Sequence, residues 1–141
     1  MAEHDLDLDH ARAARCGFPE AVFAAGKTVD ECCAAARGLY DRGGLVLVTR
    51  ACQAQLAALA AAIPAGEADP RCGCFLAGAP EPVAGPVALV SAGTSDAAVA
   101  GEAAWTLRAR GVRVARFPDC GVAGVHRLLR HIDAIRDCVC S

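Results

Sequence analysis

Apolar and polar positions along the chain follow two rhythms. In the first half, Asp9–Arg15 has a mixed polar pattern that predicts a short helix, stopped by Cys16-Gly17-Phe18-Pro19. Thr28 is a good N-cap, with Glu31 three residues on, which is the capping-box spacing. A helix from Val29 to about Tyr40 follows, ended by Gly43-Gly44. Leu45–Thr49 is a continuous apolar run with β-branched residues between glycines, and reads as a buried strand. Ala51–Ile63 reads as a helix broken by Pro64-Ala65-Gly66, and Phe75–Ala77 as a short second strand.

Three prolines and two glycines in Gly78–Pro86 mark a linker. Beyond it the pattern predicts a strand at Val87–Ser91, a small polar loop at Ala92–Asp96 and a helix at Ala97–Arg110 ended by Gly111. A strand at Val112–Phe117, a turn at Pro118–Gly121 and one helix at Val122–Ile135 complete it. Strand, helix, strand, helix in so few residues is a parallel βαβ unit. The expected class is α/β, with a small N-terminal α/β domain at 1–80 and the parallel sheet at 81–141.

Composition narrows the function classes. Of 141 residues, 55% are apolar and 21% charged, which excludes a disordered chain. Only 4% are aromatic, so Ala, Val and Leu must form the core. The net charge is −2 and Lys27 is the single lysine, so neither a nucleic acid nor a membrane surface is an expected partner. The most apolar helix, Ala51–Ile63, is shorter than the roughly 18 residues a bilayer span needs. The acidic start, Met1–His10, has the wrong sign for a signal peptide. A cytoplasmic location is therefore expected. Nine cysteines, an odd count, argue against a disulfide framework there. Cys72-x-Cys74 and Cys138-x-Cys140 lack the usual zinc spacing, so no metal site is expected. Cys120 stands apart because of its loop.

In an open parallel sheet, ligands bind outside the carboxyl ends of the strands. Two loops lie there. In the first, Gly93 leaves room for a ligand, Thr94 and Ser95 offer hydroxyls, and the next helix offers its N-terminus. Asp96 suits a sugar hydroxyl, Mg²⁺ or proton transfer; Ser95 or Asp96 equally suits a plain helix cap. In the second, Gly121 and Gly124 clear space before His126, a proton carrier near neutral pH, and Arg127, an anion clamp. Neither loop is a G-x-G-x-x-G dinucleotide fingerprint, which disfavours a Rossmann oxidoreductase.

The two loops, Gly93-Thr94-Ser95-Asp96 and Val125-His126-Arg127, resemble those of the AIR carboxylase (PurE) domain, a flavodoxin-like, three-layer αβα fold. The chain as a whole resembles the LarB family, the pyridinium-3,5-biscarboxylic acid mononucleotide synthases of nickel-pincer cofactor biosynthesis. The shared blocks are Asp9-x-x-Arg12-x-x-Arg15-x-Gly17-Phe18-Pro19-Glu20, Gly26-Lys27-Thr28, Thr49-Arg50-Ala51, Ala92–Asp96 and Gly121–Leu129.

This resemblance implies a carboxylase/hydrolase. Its substrate is nicotinic acid adenine dinucleotide, its co-substrate CO₂ or bicarbonate, and its products the biscarboxylated mononucleotide and AMP. A cysteine thiolate adds to the pyridinium ring and makes it electron-rich enough to attack CO₂. No tightly bound cofactor is expected, Mg²⁺ is admitted, and a homo-oligomer is implied. Asp96 and His126 take the catalytic positions. Gly93, Thr94, Ser95, Gly121, Gly124 and Arg127 shape the substrate site, with Thr49 and Arg50 reaching towards the adenylate. In the family a further strand, a Gly-Met-Glu-Gly loop and a late cysteine follow the His-Arg helix. This chain stops at Ser141, so a truncated form of the family is expected, with an incomplete sheet and an exposed apolar edge. That leaves catalysis by this chain alone in question. The alternatives are an AIR carboxylase or mutase of purine nucleotide biosynthesis and a non-catalytic nucleotide-binding fragment.

Overall fold

Thr28 starts the first long helix as its spacing predicts. Its backbone N–H donates to Glu31 Oε2 at 2.7 Å, and the Glu31 N–H donates back to Thr28 Oγ1 at 3.2 Å. The computed structural model describes residue 17 and residues 20–139. The predicted Asp9–Arg15 helix, Cys16 and Cys140 lie outside the described residues. The chain forms two compact units, Met1–Ala79 and Pro80–Ser141.

In the first unit the order is β1 (Val22–Phe23), α1 (Val29–Gly43), β2 (Val46–Thr49), α2 (Gln53–Ala62), β3 (Glu67–Asp69) and β4 (Cys74–Ala77). The sheet order is β1-β2-β4-β3, with β1 parallel to β2 and the other pairs antiparallel. β1 and β3 were not predicted. They have two and three residues, too short for a period-2 pattern to show. Gly44 closes α1 in the left-handed conformation, φ +66°, and its N–H bonds the Tyr40 carbonyl. Cys32, Ala35, Ala36 and Leu39 form the buried stripe of α1, at helical spacing. They pack with Val46, Val48, Leu59, Ile63 and Phe75, all within 1% of full burial. Gln55 is buried among them with its hydrogen bonds made. Its Nε2 donates to the carbonyls of Ala24 (3.1 Å) and Lys27 (2.8 Å), and its Oε1 accepts the Cys52 N–H (2.8 Å).

In the second unit β5 (Ala84–Val90) pairs in parallel with β6 (Val112–Phe117), Val90 lying opposite Phe117. β5 begins earlier than predicted and takes in Ala84, Gly85 and Pro86 from the predicted linker. The register shifts between Ala84 and Val87, which accommodates a residue with no N–H to give. α3 (Ala97–Ala109) turns Gly101, Ala104, Trp105 and Ala109 inward. Gly111, φ +75°, ends the connection where a Cβ would overlap the Glu81 carbonyl oxygen. The observed α/β architecture with a parallel strand pair is the one the pattern predicts.

The single helix predicted over Val122–Ile135 is corrected by the structure. A 3₁₀ turn (Val122–Gly124) precedes α4 (Val125–Leu129), and α5 (Ile132–Arg136) follows separately. Gly124 is off the helical region at φ −141°, ψ 61°. At the second break the His131 N–H reaches only to Leu128, and its ring packs 5.4 Å from Phe117. After α5 the Val139 N–H donates to the Pro86 carbonyl at 3.0 Å.

Candidate functional site

The carboxyl ends of β5 and β6 are stitched together. The Ser91 N–H donates to the Phe117 carbonyl (3.1 Å), and the Cys120 N–H to the Ser91 carbonyl (2.9 Å). Gly121 packs so near Ala92 that a Cβ on it would sit 3.2 Å from the Ala92 oxygen, so its lack of a side chain serves loop packing.

Asp96 shapes the first loop from within. Its Oδ2 accepts the N–H groups of Gly93 (3.0 Å) and Ala92 (3.2 Å), and its Oδ1 lies 3.4 Å from Ser95 Oγ. The carboxylate thus folds back on the loop; it makes no side-chain cap bond to α3. Gly93 has ordinary extended backbone, and a Cβ there would meet only Ser95 Oγ at 3.9 Å. The fold therefore does not demand glycine at that point.

Between the strand ends is a cleft of about 220 Å³. Leu89, Ala97, Ala100 and Pro118 give it apolar walls; Ser91, Gly93, Thr94, Arg116 and Asp119 give it polar ones. Thr94 begins the 3₁₀ turn that runs into α3, so the helix N-terminus and its partial positive charge border the cleft. Asp119 is held at φ +60°, and its Oδ1 is 2.5 Å from Arg127 Nη1.

Of the residues singled out in the sequence, Gly93 and Thr94 line the cleft. Ser95, Asp96, Gly121, Gly124, His126 and Arg127 lie in or just after the two strand-end loops and do not line it. Arg127 reaches it through Asp119. His126 is exposed on α4, and its Cε1 lies 3.3 Å from where a Cβ of Gly124 would stand. Thr49 and Arg50 belong to the other unit. The Thr49 carbonyl accepts the Ala24 N–H, and Arg50 is exposed with φ +57°. Sequence reasoning missed Ser91, Arg116 and Asp119 as cleft residues. Arg116 is a charge placed one residue before the end of an apolar strand, a position the strand-end rule could have flagged.

Cys32, Cys33, Cys52, Cys72, Cys74, Cys120 and Cys138 are free thiols, and none of them lines the cleft. Burial pushes the Cys32 thiol up to about 11, with neighbouring Cys33 adding to the rise and Lys27 opposing it. Burial also raises Cys33 and Cys72. Cys120 Sγ bonds the Pro118 carbonyl at 3.5 Å. Among the described residues no cluster of His, Cys, Asp and Glu could hold a metal, and no helix is long and apolar enough to cross a membrane.

A family model described as the LarB/PurE-like N-terminal domain matches residues 4–78. The chain belongs to this LarB/PurE-like family. It is also similar to Uncharacterized protein MJ0165 of Methanocaldococcus jannaschii, 32% identical over 136 residues, which cover 89% of this chain and 52% of that protein. The chain therefore spans about half the length of that relative. Coverage of this extent carries the likeness beyond the first unit into the strand-end loops. The LarB-like and AIR-carboxylase-like character read from the motifs is thus shown at the level of the family.

Proposed function

We propose that the strand-end cleft binds the anionic part of a pyridine nucleotide. On this reading the chain carries part of a site that carboxylates nicotinic acid adenine dinucleotide and releases AMP. The observation that carries the reading is the match to the LarB/PurE-like family, joined to a cleft with apolar walls and a few polar groups at the site where a parallel sheet places its ligands. At 220 Å³ the cleft is smaller than the roughly 300–1,000 Å³ of a pocket that encloses a whole ligand. It suits one part of a dinucleotide.

The roles follow from position. Ser91 and Thr94 offer hydroxyls to the ligand, and Gly93 leaves space for it. Asp96 holds the loop in shape. On this reading His126, exposed on α4 outside the cleft wall, takes the part of proton carrier. CO₂ or bicarbonate is the co-substrate, with Mg²⁺ admitted as a counter-ion for phosphates. The exposed apolar side chains Val122, Val125 and Leu129 support self-association, as the family resemblance implies.

Incubation with nicotinic acid adenine dinucleotide, labelled bicarbonate and Mg²⁺ tests the reading. Label in a pyridine mononucleotide together with released AMP supports carboxylation. Binding of the dinucleotide without turnover supports the second reading, a nucleotide-binding unit, which is favoured by the lack of a described cysteine in the cleft wall. No binding and no AMP would reject both. Turnover of aminoimidazole ribonucleotide would instead favour the purine enzyme.

A further inference from the structure

We propose that Arg116, rather than Arg127, is the residue that holds the ligand's oxyanion in the strand-end cleft. The inference rests on the nucleotide reading above and names the contact that this reading needs.

The two arginines are in different situations. Arg127 Nη1 is bonded to Asp119 Oδ1, and its Nε packs against Gly124. Its charge offsets that of Asp119, the one carboxylate in the cleft wall. Arg116 lies in the wall itself, opposite Leu89 in the strand register, and pairs with no carboxylate among the described residues. With Asp119 neutralised, Arg116 gives the cleft its net positive charge. Thr94 and the start of α3 line the same cleft, so a hydroxyl, a helix N-terminus and a guanidinium border one space. The other arginine of β6, Arg113, is used by the fold, donating to the Gly85 carbonyl at 3.0 Å.

The chemistry fits a phosphate or a carboxylate, each of which can offer two oxygens to two parallel guanidinium bonds. Nicotinic acid mononucleotide carries both groups, nicotinamide mononucleotide only the phosphate, and nicotinic acid riboside only the carboxylate. Titrating the full chain with these three by calorimetry tests the assignment. Arg116→Ala is expected to weaken nicotinic acid mononucleotide about ten-fold or more, as loss of a charged hydrogen bond does. The variant should also bind the ligand lacking the recognised group as well as the one carrying it. Which pair of ligands converges identifies phosphate or carboxylate. A purely structural role would not erase that discrimination. Arg116→Lys should restore part of the affinity, and melting temperatures should stay close to wild type because Arg116 is exposed. Wild-type affinity and discrimination in Arg116→Ala, with the loss appearing in Arg127→Ala, would overturn the assignment while leaving the nucleotide reading intact. Failure of the unaltered chain to bind any of the three would instead reject the nucleotide reading.

Discussion

Arg127 Nη1 and Asp119 Oδ1 stand 2.5 Å apart, eight residues distant in the chain, and close the loop that follows β6. Both side chains are about half exposed. Water and salt screen such a pair, so it should contribute no more than about 1 kcal/mol to stability. Arg127→Ala should therefore lower the denaturation free energy by about that amount at most. Its larger effect should be local, with faster amide exchange in residues 119–124. A loss well above 1 kcal/mol in a urea titration would show that the pair does more than close a loop.

Asp96 accepts two backbone N–H groups with one oxygen. Charge-assisted bonds of this kind at the entry to a helix contribute about 0.5–2 kcal/mol. Asp96→Ala is expected to cost about that much and to speed hydrogen exchange at Ala92 and Gly93. Asp96→Asn keeps an acceptor oxygen and should lose less. Unchanged exchange at those two amides would contradict the backward-folded carboxylate.

Gly66 faces the fully buried ring of Phe75, and a Cβ there would overlap it. The ring is fully buried, in an interior packed as closely as an organic crystal. Gly66→Ala should destabilise the first unit by about 1–3 kcal/mol through overpacking. Phe75→Ala should cost about 3–5 kcal/mol through the cavity it leaves. Thermal denaturation monitored by circular dichroism checks both, and a neutral Gly66→Ala would mean that the ring yields.

Cys32 is fully buried, and its thiol is pushed up to about 11. The folded form thus holds its proton at pH values where the unfolded chain, titrating near 9, has lost it. The stability tied to this neutral thiol is complete below about pH 9 and falls as pH rises towards about 11. Cys32→Ala should flatten that part of the pH–stability curve. Alkylation gives a second measurement: exposed Cys52 should react quickly at pH 8, whereas Cys32 should react only on unfolding.

What the sequence determined by itself is mostly what local rules control. Thr28 with Glu31 sets where α1 starts, Gly44 where it stops, and the apolar run Val112–Phe117 is a strand with the predicted ends. Strand, helix and strand after the linker left only a parallel pair, and so located the two loops at its carboxyl ends. The helix after Gly121 was read as continuous because apolar spacing persists through two breaks. Gly124 leaves the helical region at the first break, and at the second His131 packs on Phe117, a contact that is not local in sequence. The division of labour within the site was also decided in three dimensions. Asp96 was legible as an acid next to hydroxyls, yet only the fold turns its oxygen back onto Ala92 and Gly93. Arg127 was legible as an anion clamp, but the left-handed turn at Asp119 brings a carboxylate onto it. Arg116 had no motif at all. It faces the cleft because strand alternation and register place it there, and register is a property of two paired strands that neither carries alone.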